Sequence, residues 1–186
     1  MQIGAKEFTR QQNLLKIVKF VDGDGIIIQD IISKNVCEVR FLGIDAPEIN
    51  YCNKIKKDEK ELQVPAALLI KLGFLSFNFL KEQVKLGDVC TLEQEGNNLV
   101  DKYGRQLGYL ILKDGKVLNE IMIKEGYAKP YNEVFCEMLP LYQEWNLGAK
   151  NSRKGLYSIV SKFKKNNDYK LILPYNNCTI IKTKNS

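Results

Sequence analysis

The sequence of 186 residues contains no histidine. Because histidine is the side chain that ordinarily titrates near neutrality, acid–base chemistry here must use a carboxylate, a lysine, a cysteine or a metal-bound water. Long hydrophobic runs are also missing, since no stretch approaches the roughly 18 apolar residues that a membrane-spanning helix needs. The first 20 residues lack the continuous apolar segment of a secretory signal. We therefore expect no membrane association, while the compartment stays undetermined.

Cysteines are few, and their spacing is irregular. The five are Cys37, Cys52, Cys90, Cys136 and Cys178. An odd number without any CxxC pair argues against a complete disulfide framework and against a zinc site. The expected state is reduced, mostly buried thiols.

Charge is unevenly distributed along the chain. Residues 161–186 contain six lysines and one acid, so this segment carries most of the net charge of +6. A basic tail suits a polyanionic partner, although a tail that only improves solubility has the same composition. With 45% hydrophobic and 27% charged residues, the sequence as a whole is typical of a globular protein. We predict one domain over residues 1–158 and a basic extension over 159–186, which is either a hairpin or disordered.

Short β-branched segments separated by turn signals predict five strands, and the first three form an antiparallel meander. The predicted strands cover residues 14–21, 26–32, 36–44, 88–93 and 107–112, and the predicted helices cover 117–124, 140–154 and a segment after Pro65. In that segment, one predicted face contains Leu68, Leu72, Leu75 and Phe79. Residues 50–63 are polar and are predicted to be a loop. Five strands with a helix between the third and fourth describe a small closed or nearly closed barrel.

Two aspartates are predicted to meet at one end of the meander. The second strand leaves from Asp24 and the third returns to Asp45, which brings the two ends within about 5 Å. Two such carboxylates repel unless a cation lies between them, and ligation by oxygen alone favours calcium or magnesium over zinc. The alternative is that both residues cap turns in water.

Arg40 and Glu48 add a cation and a further carboxylate to this region. Arg40 lies in a predicted strand that is apolar on both faces beyond this residue. Its guanidinium needs an anion, which is either Asp45 or Glu48 in an internal ion pair or a bound phosphate. Glu48 follows Pro47 and can accept a proton from water. The alternative for Glu48 is an ordinary surface residue.

The segment Asp101-Lys-Tyr-Gly-Arg105 precedes the fifth predicted strand. Arg105 can present a planar fork to phosphate oxygens, Tyr103 can offer a ring to a base, and Lys102 adds positive charge. Considered alone, the segment is also compatible with a simple turn.

Taken together, these residues resemble the staphylococcal nuclease (thermonuclease) family. The matching segments occur in the family's order across residues 14–158; they are Val21-Asp-Gly-Asp24, Val39-Arg-Phe-Leu-Gly-Ile-Asp-Ala-Pro-Glu48, Asp101-Lys-Tyr-Gly-Arg105, Asn119-Glu120, Gly126-Tyr-Ala-Lys129 and Lys154-Gly-Leu-Tyr157. The resemblance implies an α+β fold, a five-stranded oligonucleotide-binding (OB-fold) barrel with three α-helices. It also implies calcium-dependent hydrolysis of DNA and RNA to products with 3′-phosphates. We expect single-stranded substrates to be preferred and the protein to be a monomer.

The resemblance also implies a role for each matching residue. Calcium would be bound by Asp24, Asp45 and the main-chain carbonyl of Ala46, with Asp22 close by. The catalytic set would be Glu48, acting on the attacking water, and Arg40 and Arg105, holding the phosphate. The nucleotide pocket would be bordered by Lys102 and Tyr103, with Tyr131 as a further candidate.

This chain departs from the family pattern at two positions in the cation region. Ala46 and Gly25 each replace a common threonine. At the first position only a carbonyl is required, so alanine should serve. The alternative function is a catalytically inactive nucleic-acid-binding or protein-interaction module on the same barrel.

Overall fold

Five strands form a closed barrel in the order β1-β2-β3-β6-β5, as the sequence predicts. The computed structural model describes residues 9–160, so the predicted hairpin in the extension lies outside the described residues. The barrel strands are β1 (Thr9–Phe20), β2 (Gly25–Asp30), β3 (Val36–Phe41), β5 (Val89–Glu95) and β6 (Gln106–Leu112). A separate two-stranded sheet pairs β4 (Ile44–Asp45) with β7 (Lys129–Pro130).

Four α-helices and one 3-10 turn surround the barrel within the described residues. They are α1 (Asn53–Leu62), α2 (Ala66–Gln83), α3 (Leu118–Lys124), α4 (Leu139–Asn151) and the 3-10 turn Gly155–Ser158. Among these residues, no single helix is long and apolar enough to cross a membrane. The helices Asn53–Glu61 and Ala66–Gln83, which are bent by 114° relative to each other, are long and apolar enough only when they are taken together, and by length and composition only.

The barrel closes because its strands alternate apolar residues toward a common interior. In β3, Val39 and Phe41 are fully buried whereas the intervening Arg40 is only partly buried. β2 and β3 pair antiparallel with Gly25 opposite Arg40, and β3 pairs parallel with β6. The long β1 contacts both β2 and β5 and so completes the ring. This register places the start of β2 beside Arg40 of β3.

The prediction of a loop over residues 50–63 is wrong, because α1 occupies most of that segment. The cause is a helix that is polar almost all round and buries Ile55 as its apolar anchor. Ile55 and Leu62 are the only apolar residues in the sequence of α1, which is too few to produce a clear apolar periodicity. The barrel therefore carries one helix more than the three that were predicted.

The buried face of α2 is displaced from the predicted one but overlaps it: Leu72 is buried, and Leu68, Leu75 and Phe79 are partly buried and pack against the core. Its buried residues are Leu69, Leu72, Gly73, Ser76 and Leu80. The shift occurs because Gly73 and Ser76 allow the backbone to approach other segments closely, whereas hydrophobic periodicity gives small residues no weight.

Asn119, at the start of α3, joins the helix to two separate parts of the barrel. Its Oδ1 accepts a hydrogen bond from the Leu110 amide at 3.0 Å, and its Nδ2 donates to the carbonyls of Leu42 at 2.9 Å and Gly108 at 3.1 Å. The side chain is completely buried. Asn119 therefore supplies hydrogen bonds to three buried main-chain groups, of which the Gly108 carbonyl also accepts from the Leu42 amide at 2.9 Å.

We expect Asn119→Ala to lower the free energy of unfolding by on the order of 3 kcal/mol, because buried main-chain groups lose their partners. Urea denaturation measures the change. Asn151→Ala is the control, since Asn151 is exposed at the end of α4 and should change stability by less than about 0.5 kcal/mol. A loss below about 1 kcal/mol for Asn119→Ala would contradict the assigned role.

Candidate functional site

The β2–β3 pairing and the β4–β7 sheet bring Asp24 and Asp45 together at one end of the barrel. The Phe41 amide donates to the Asp24 carbonyl at 2.8 Å, which holds the turn before β2 against the end of β3. The Asp24 carboxylate accepts from the Ala46 amide at 3.0 Å, directly after Asp45. Both carboxylates are nearly buried, with residue exposures of 3% and 5%. Twenty-one residues of chain thus separate two acids that share one pocket.

Arg40 lies between the two aspartates. Its guanidinium is 3.2 Å from Asp24 Oδ2 and 3.2 Å from Asp45 Oδ1. Of the alternatives considered from the sequence, the internal ion pair is the one present, with Asp24 as an additional partner. The charges of Asp24 and then Asp45 raise the pKa of Arg40 against the opposing effect of burial. This guanidinium is therefore a permanent cation held at the acidic end of the pocket.

Two lysines that the sequence reading did not single out also bind Asp45. Lys54 Nζ, from α1, is 2.8 Å from Asp45 Oδ1, and Lys129 Nζ, from β7, is 2.9 Å from Oδ2. Burial would raise the pKa of Asp45, but Lys129, Lys54 and Arg40 outweigh burial and hold the pKa below its ordinary value. Lys129 lies in a segment that carried the family resemblance, so the sequence did contain a signal for its role. Lys54 lies in the segment predicted as a loop and had no such signal.

Asp22 provides a further carboxyl group beside Asp24. Its Oδ1 accepts a hydrogen bond from the Asp24 amide at 3.0 Å. Burial, followed by the negative charge of Asp24, raises the pKa of Asp22 to about 8. The raised pKa favours the neutral form of Asp22, which limits repulsion within the acidic cluster.

Glu48 is held at the rim of the pocket by α2. A Cβ built on Gly73 would lie only 2.2 Å from the Glu48 carbonyl oxygen, so glycine is what allows the helix to lie against this backbone. The Glu48 side chain is 30% exposed, and its Oε1 is 2.9 Å from Lys54 Nζ. Gly73 is a positioning residue that sequence reasoning missed, because a glycine within a helix carries no functional signature.

Arg105 is oriented by Asp101 rather than left free. Its Nε and Nη2 each lie 2.8 Å from Asp101 Oδ2, and the Asp101 Oδ1 accepts the amides of Tyr103 and Arg105. The Tyr103 ring is flanked by Lys102 Nζ at 5.1 Å and Arg105 Cζ at 5.5 Å, yet the residue is 73% exposed. The loop therefore presents an aromatic face beside a fixed guanidinium.

One cleft of about 850 Å³ connects these groups. Tyr131 belongs to its wall, and its ring centroid is 5.3 Å from Arg40 Cζ. The cleft is lined by most residues predicted for the site: Asp22, Arg40, Asp45, Glu48, Lys102, Tyr103, Arg105 and Tyr131. The remaining two predicted residues are Asp24 and Ala46. Asp24 contacts Arg40 of the cleft wall, and Ala46 directly follows Asp45 and donates its amide to Asp24.

The donor atoms of the acidic cluster suit a hard cation. They are carboxylate oxygens of Asp24 and Asp45 and the carbonyl of Ala46, and this cluster already draws the ammonium of Lys54 to 3.3 Å from that carbonyl. Oxygen ligands of this kind are typical of calcium and magnesium sites. Within residues 9–160, no group of three or more histidine, cysteine, aspartate or glutamate side chains is arranged to hold a metal. A bound ion would therefore need the carbonyl and water to complete its ligands.

The fold and the site define a class of protein: a small five-stranded barrel with an acidic, arginine-containing centre at one end and a cationic, aromatic cleft beside it. A family model described as staphylococcal nuclease homologue matches residues 38–159. The chain belongs to this family, as the sequence motifs indicated.

Several known proteins are similar to this chain over about three quarters of its length. Endonuclease YhcR of Bacillus subtilis is 29% identical over 143 residues, which are 75% of this chain but 11% of that protein. An uncharacterized endonuclease of Escherichia coli O157:H7 is 28% identical over 77% of this chain and 76% of its own length. The uncharacterized protein MJ1439 of Methanocaldococcus jannaschii is 29% identical over 77% of this chain and 70% of its own.

Two helical glycines allow a matched test of how α2 positions Glu48. We expect Gly73→Ala to destabilise the protein, because the new methyl group would collide with the Glu48 backbone and displace α2. Gly148→Ala is the control, since no atom beyond its chain neighbours and its own helix backbone lies within 4 Å of the added Cβ. In α4 this exchange should stabilise by up to about 1 kcal/mol through helix propensity. Thermal unfolding measures both changes, and a stabilised Gly73→Ala variant would contradict the close contact.

Proposed function

We propose that this chain is a calcium-dependent nuclease that hydrolyses phosphodiester bonds of DNA and RNA and leaves 3′-phosphates. The observation that supports the proposal most directly is a single cleft that joins the acidic cluster, Glu48 and two guanidiniums. Family membership and the endonucleases among its relatives point to the same reaction class. A barrel that only bound nucleic acid would need the cationic groups but not a carboxylate facing the cleft.

Arg40 and Arg105 hold the phosphate from two sides in this proposal. Each guanidinium can donate two parallel hydrogen bonds to phosphate oxygens, which suits a group whose negative charge grows in the transition state. Asp101 fixes the orientation of Arg105, and the two aspartates fix that of Arg40. Because both are oriented before substrate arrives, little reorganisation is needed during the reaction.

Glu48 is the proposed base. A water molecule attacks phosphorus, Glu48 takes its proton, and the bond from phosphorus to the 5′ oxygen breaks. The leaving oxygen gains a proton from solvent, and the phosphate stays on the 3′ side. Glu48 suits this role because its side chain reaches the cleft and is 30% exposed. With histidine absent from the sequence, a carboxylate at this position is a suitable acceptor.

The proposed cation would be held by Asp24, Asp45 and the carbonyl of Ala46, with Asp22 in support. When bound, calcium would supply positive charge beside the phosphate. The residues fit this ion because every donor is oxygen and the backbone from Asp45 to Ala46 is tied to Asp24 by a 3.0 Å hydrogen bond.

The preferred substrate is proposed to be single-stranded. Tyr103 presents an exposed ring flanked by two cations, and an unpaired base can stack on such a ring. Lys102 adds charge near the backbone, and Tyr131 offers a second aromatic wall near Arg40. The bases of a duplex are already stacked on one another and would not reach these rings. The monomeric state stays a prediction.

Arg105→Gln should lower cleavage of labelled single-stranded DNA by on the order of 10²-fold or more, because one fixed transition-state contact is lost. The protein should stay folded, since Arg105 is a partly exposed loop residue. Arg10→Gln is the control: it removes the same charge from an exposed position on β1 that does not line the cleft. Equal turnover by Arg105→Gln and the unchanged protein would refute the role of Arg105.

Chelation of divalent cations should abolish cleavage of the same substrate, and added calcium should restore it. The reason is that the proposed reaction needs positive charge in the acidic cluster. A Glu48→Gln preparation, assayed in parallel, should be inactive and so rules out a contaminating nuclease. Cleavage that persists in chelator would remove the ion from the mechanism. Binding of DNA without cleavage at any calcium concentration would favour an inactive binding module.

A further inference from the structure

Lys54 has a position within the acidic cluster that differs from those of the other cations. Its Nζ lies 2.8 Å from Asp45 Oδ1, 2.9 Å from Glu48 Oε1 and 3.3 Å from the Ala46 carbonyl oxygen. Lys129 contacts Asp45 through Oδ2, on the other side of the carboxylate. The Lys54 ammonium thus sits among three oxygens that belong either to the proposed cation ligands or to the proposed base.

The placement of Lys54 is not explained by the stability of its own helix. Lys54 lies in the first turn of α1, which contains no acidic residue. A positive charge at a helix N-terminus is unfavourable, because the helix dipole is positive there. The side chain is also removed from water to a large degree, with 31% exposure. Its contacts with the acidic cluster supply the compensating attraction.

Of the three cations around Asp45, Lys54 is the one most able to leave. Its side chain is 31% exposed, compared with 15% for Arg40 and 18% for Lys129. Arg40 and Lys129 come from strands that are fixed by main-chain pairing. Lys54 comes instead from a helix whose apolar anchor is Ile55, and its ammonium ends a flexible chain of four methylenes.

We propose that the Lys54 ammonium is a built-in competitor of the divalent cation. It occupies the oxygen cluster when no ion is bound and must withdraw when an ion enters. The inference rests on the proposed function, because it takes the same cluster as the cation site. Two cations cannot share Asp45 Oδ1 and the Ala46 carbonyl without strong repulsion, so the two occupancies exclude each other.

Withdrawal of Lys54 would have a second effect at Glu48. While the ammonium is 2.9 Å from Oε1, this oxygen is engaged in an ion pair with Lys54. Entry of the ion would therefore release Glu48 at the same moment as it fills the cluster. Lys54 in this view couples occupancy by the cation to the availability of the base.

The test is the affinity of the purified full-length protein for calcium, measured by isothermal titration calorimetry in the absence of nucleic acid. Lys54→Met keeps the length of the side chain and removes its charge. We expect this variant to bind calcium at least about tenfold more tightly than the unchanged protein, which corresponds to about 1.4 kcal/mol. Without calcium its melting temperature should fall, and the rise in melting temperature on adding calcium should be larger.

Lys57→Met is the matched control. Lys57 lies on the same helix and lines the same cleft, but its side chain is 65% exposed and pairs with Glu61 at 3.9 Å. Removing this charge should leave calcium affinity within about twofold, because an exposed charge is well screened. If Lys57→Met raised the calcium affinity as much as Lys54→Met, the increase would be a general effect of removing positive charge, and the proposal would be overturned. Lys54→Gln serves as a second neutral variant if Lys54→Met does not fold.

The remaining outcomes separate this inference from the proposed function. If the unchanged protein binds calcium and both neutral Lys54 variants bind equally or more weakly, competition is wrong while the cation site stands. If neither the unchanged protein nor any folded variant binds calcium, the cation site itself is wrong and the competition fails with it. Binding that appears only after Lys54 is neutralised would support competition most strongly.

Discussion

The compensation of two nearly buried carboxylates is the constraint on which this site depends. Asp24 and Asp45 are removed from water, and an unpaired charge in such a place is costly. The compensating cations come from three different elements: Arg40 from β3, Lys54 from α1 and Lys129 from β7. The ion pairs therefore hold the barrel end, the polar helix and the small sheet around one cluster of oxygens. In the proposed function, the same cluster of oxygens is where the divalent ion would bind.

Close packing of small residues of α2 against the main chain positions Glu48 and the segment before Asp24. Gly73 lets α2 approach the backbone of Glu48, and Ser76 lies against Gly23, one residue before Asp24. The hydroxyl of Ser76 donates to the Tyr127 carbonyl at 2.8 Å, which ties the same helix to the segment leading to β7. One helix face thus contacts the chain beside two groups of the site. A small change in its packing would be transmitted to both.

The barrel could be predicted because its strands carry strong local signals. Alternation of Val39 and Phe41 around Arg40, and the turn at Asp22-Gly-Asp24-Gly25, locate β2 and β3 without reference to the rest of the chain. α1 could not be predicted in the same way, because its sequence contains only two apolar residues, Ile55 and Leu62, which is too few for a clear periodic pattern. For the same reason Lys54 received no role, although it contacts more of the acidic cluster than Lys129 does.

By itself, the sequence determined which residue types were available: no histidine, paired acids at strand ends, and arginines near both. Those facts, with the order of the motifs, determined the fold class and the family. Only the tertiary structure decided the partners, because an ion pair depends on the distance between side-chain atoms, which the order of residues does not give. Arg40 meets Asp24 across 16 residues, and Arg105 is held by Asp101 four residues away. From sequence, Arg105 was assigned to phosphate, and Arg40 either to phosphate or to an internal ion pair with Asp45 or Glu48. The folded chain shows Asp24 and Asp45 against Arg40, and Asp101 against Arg105.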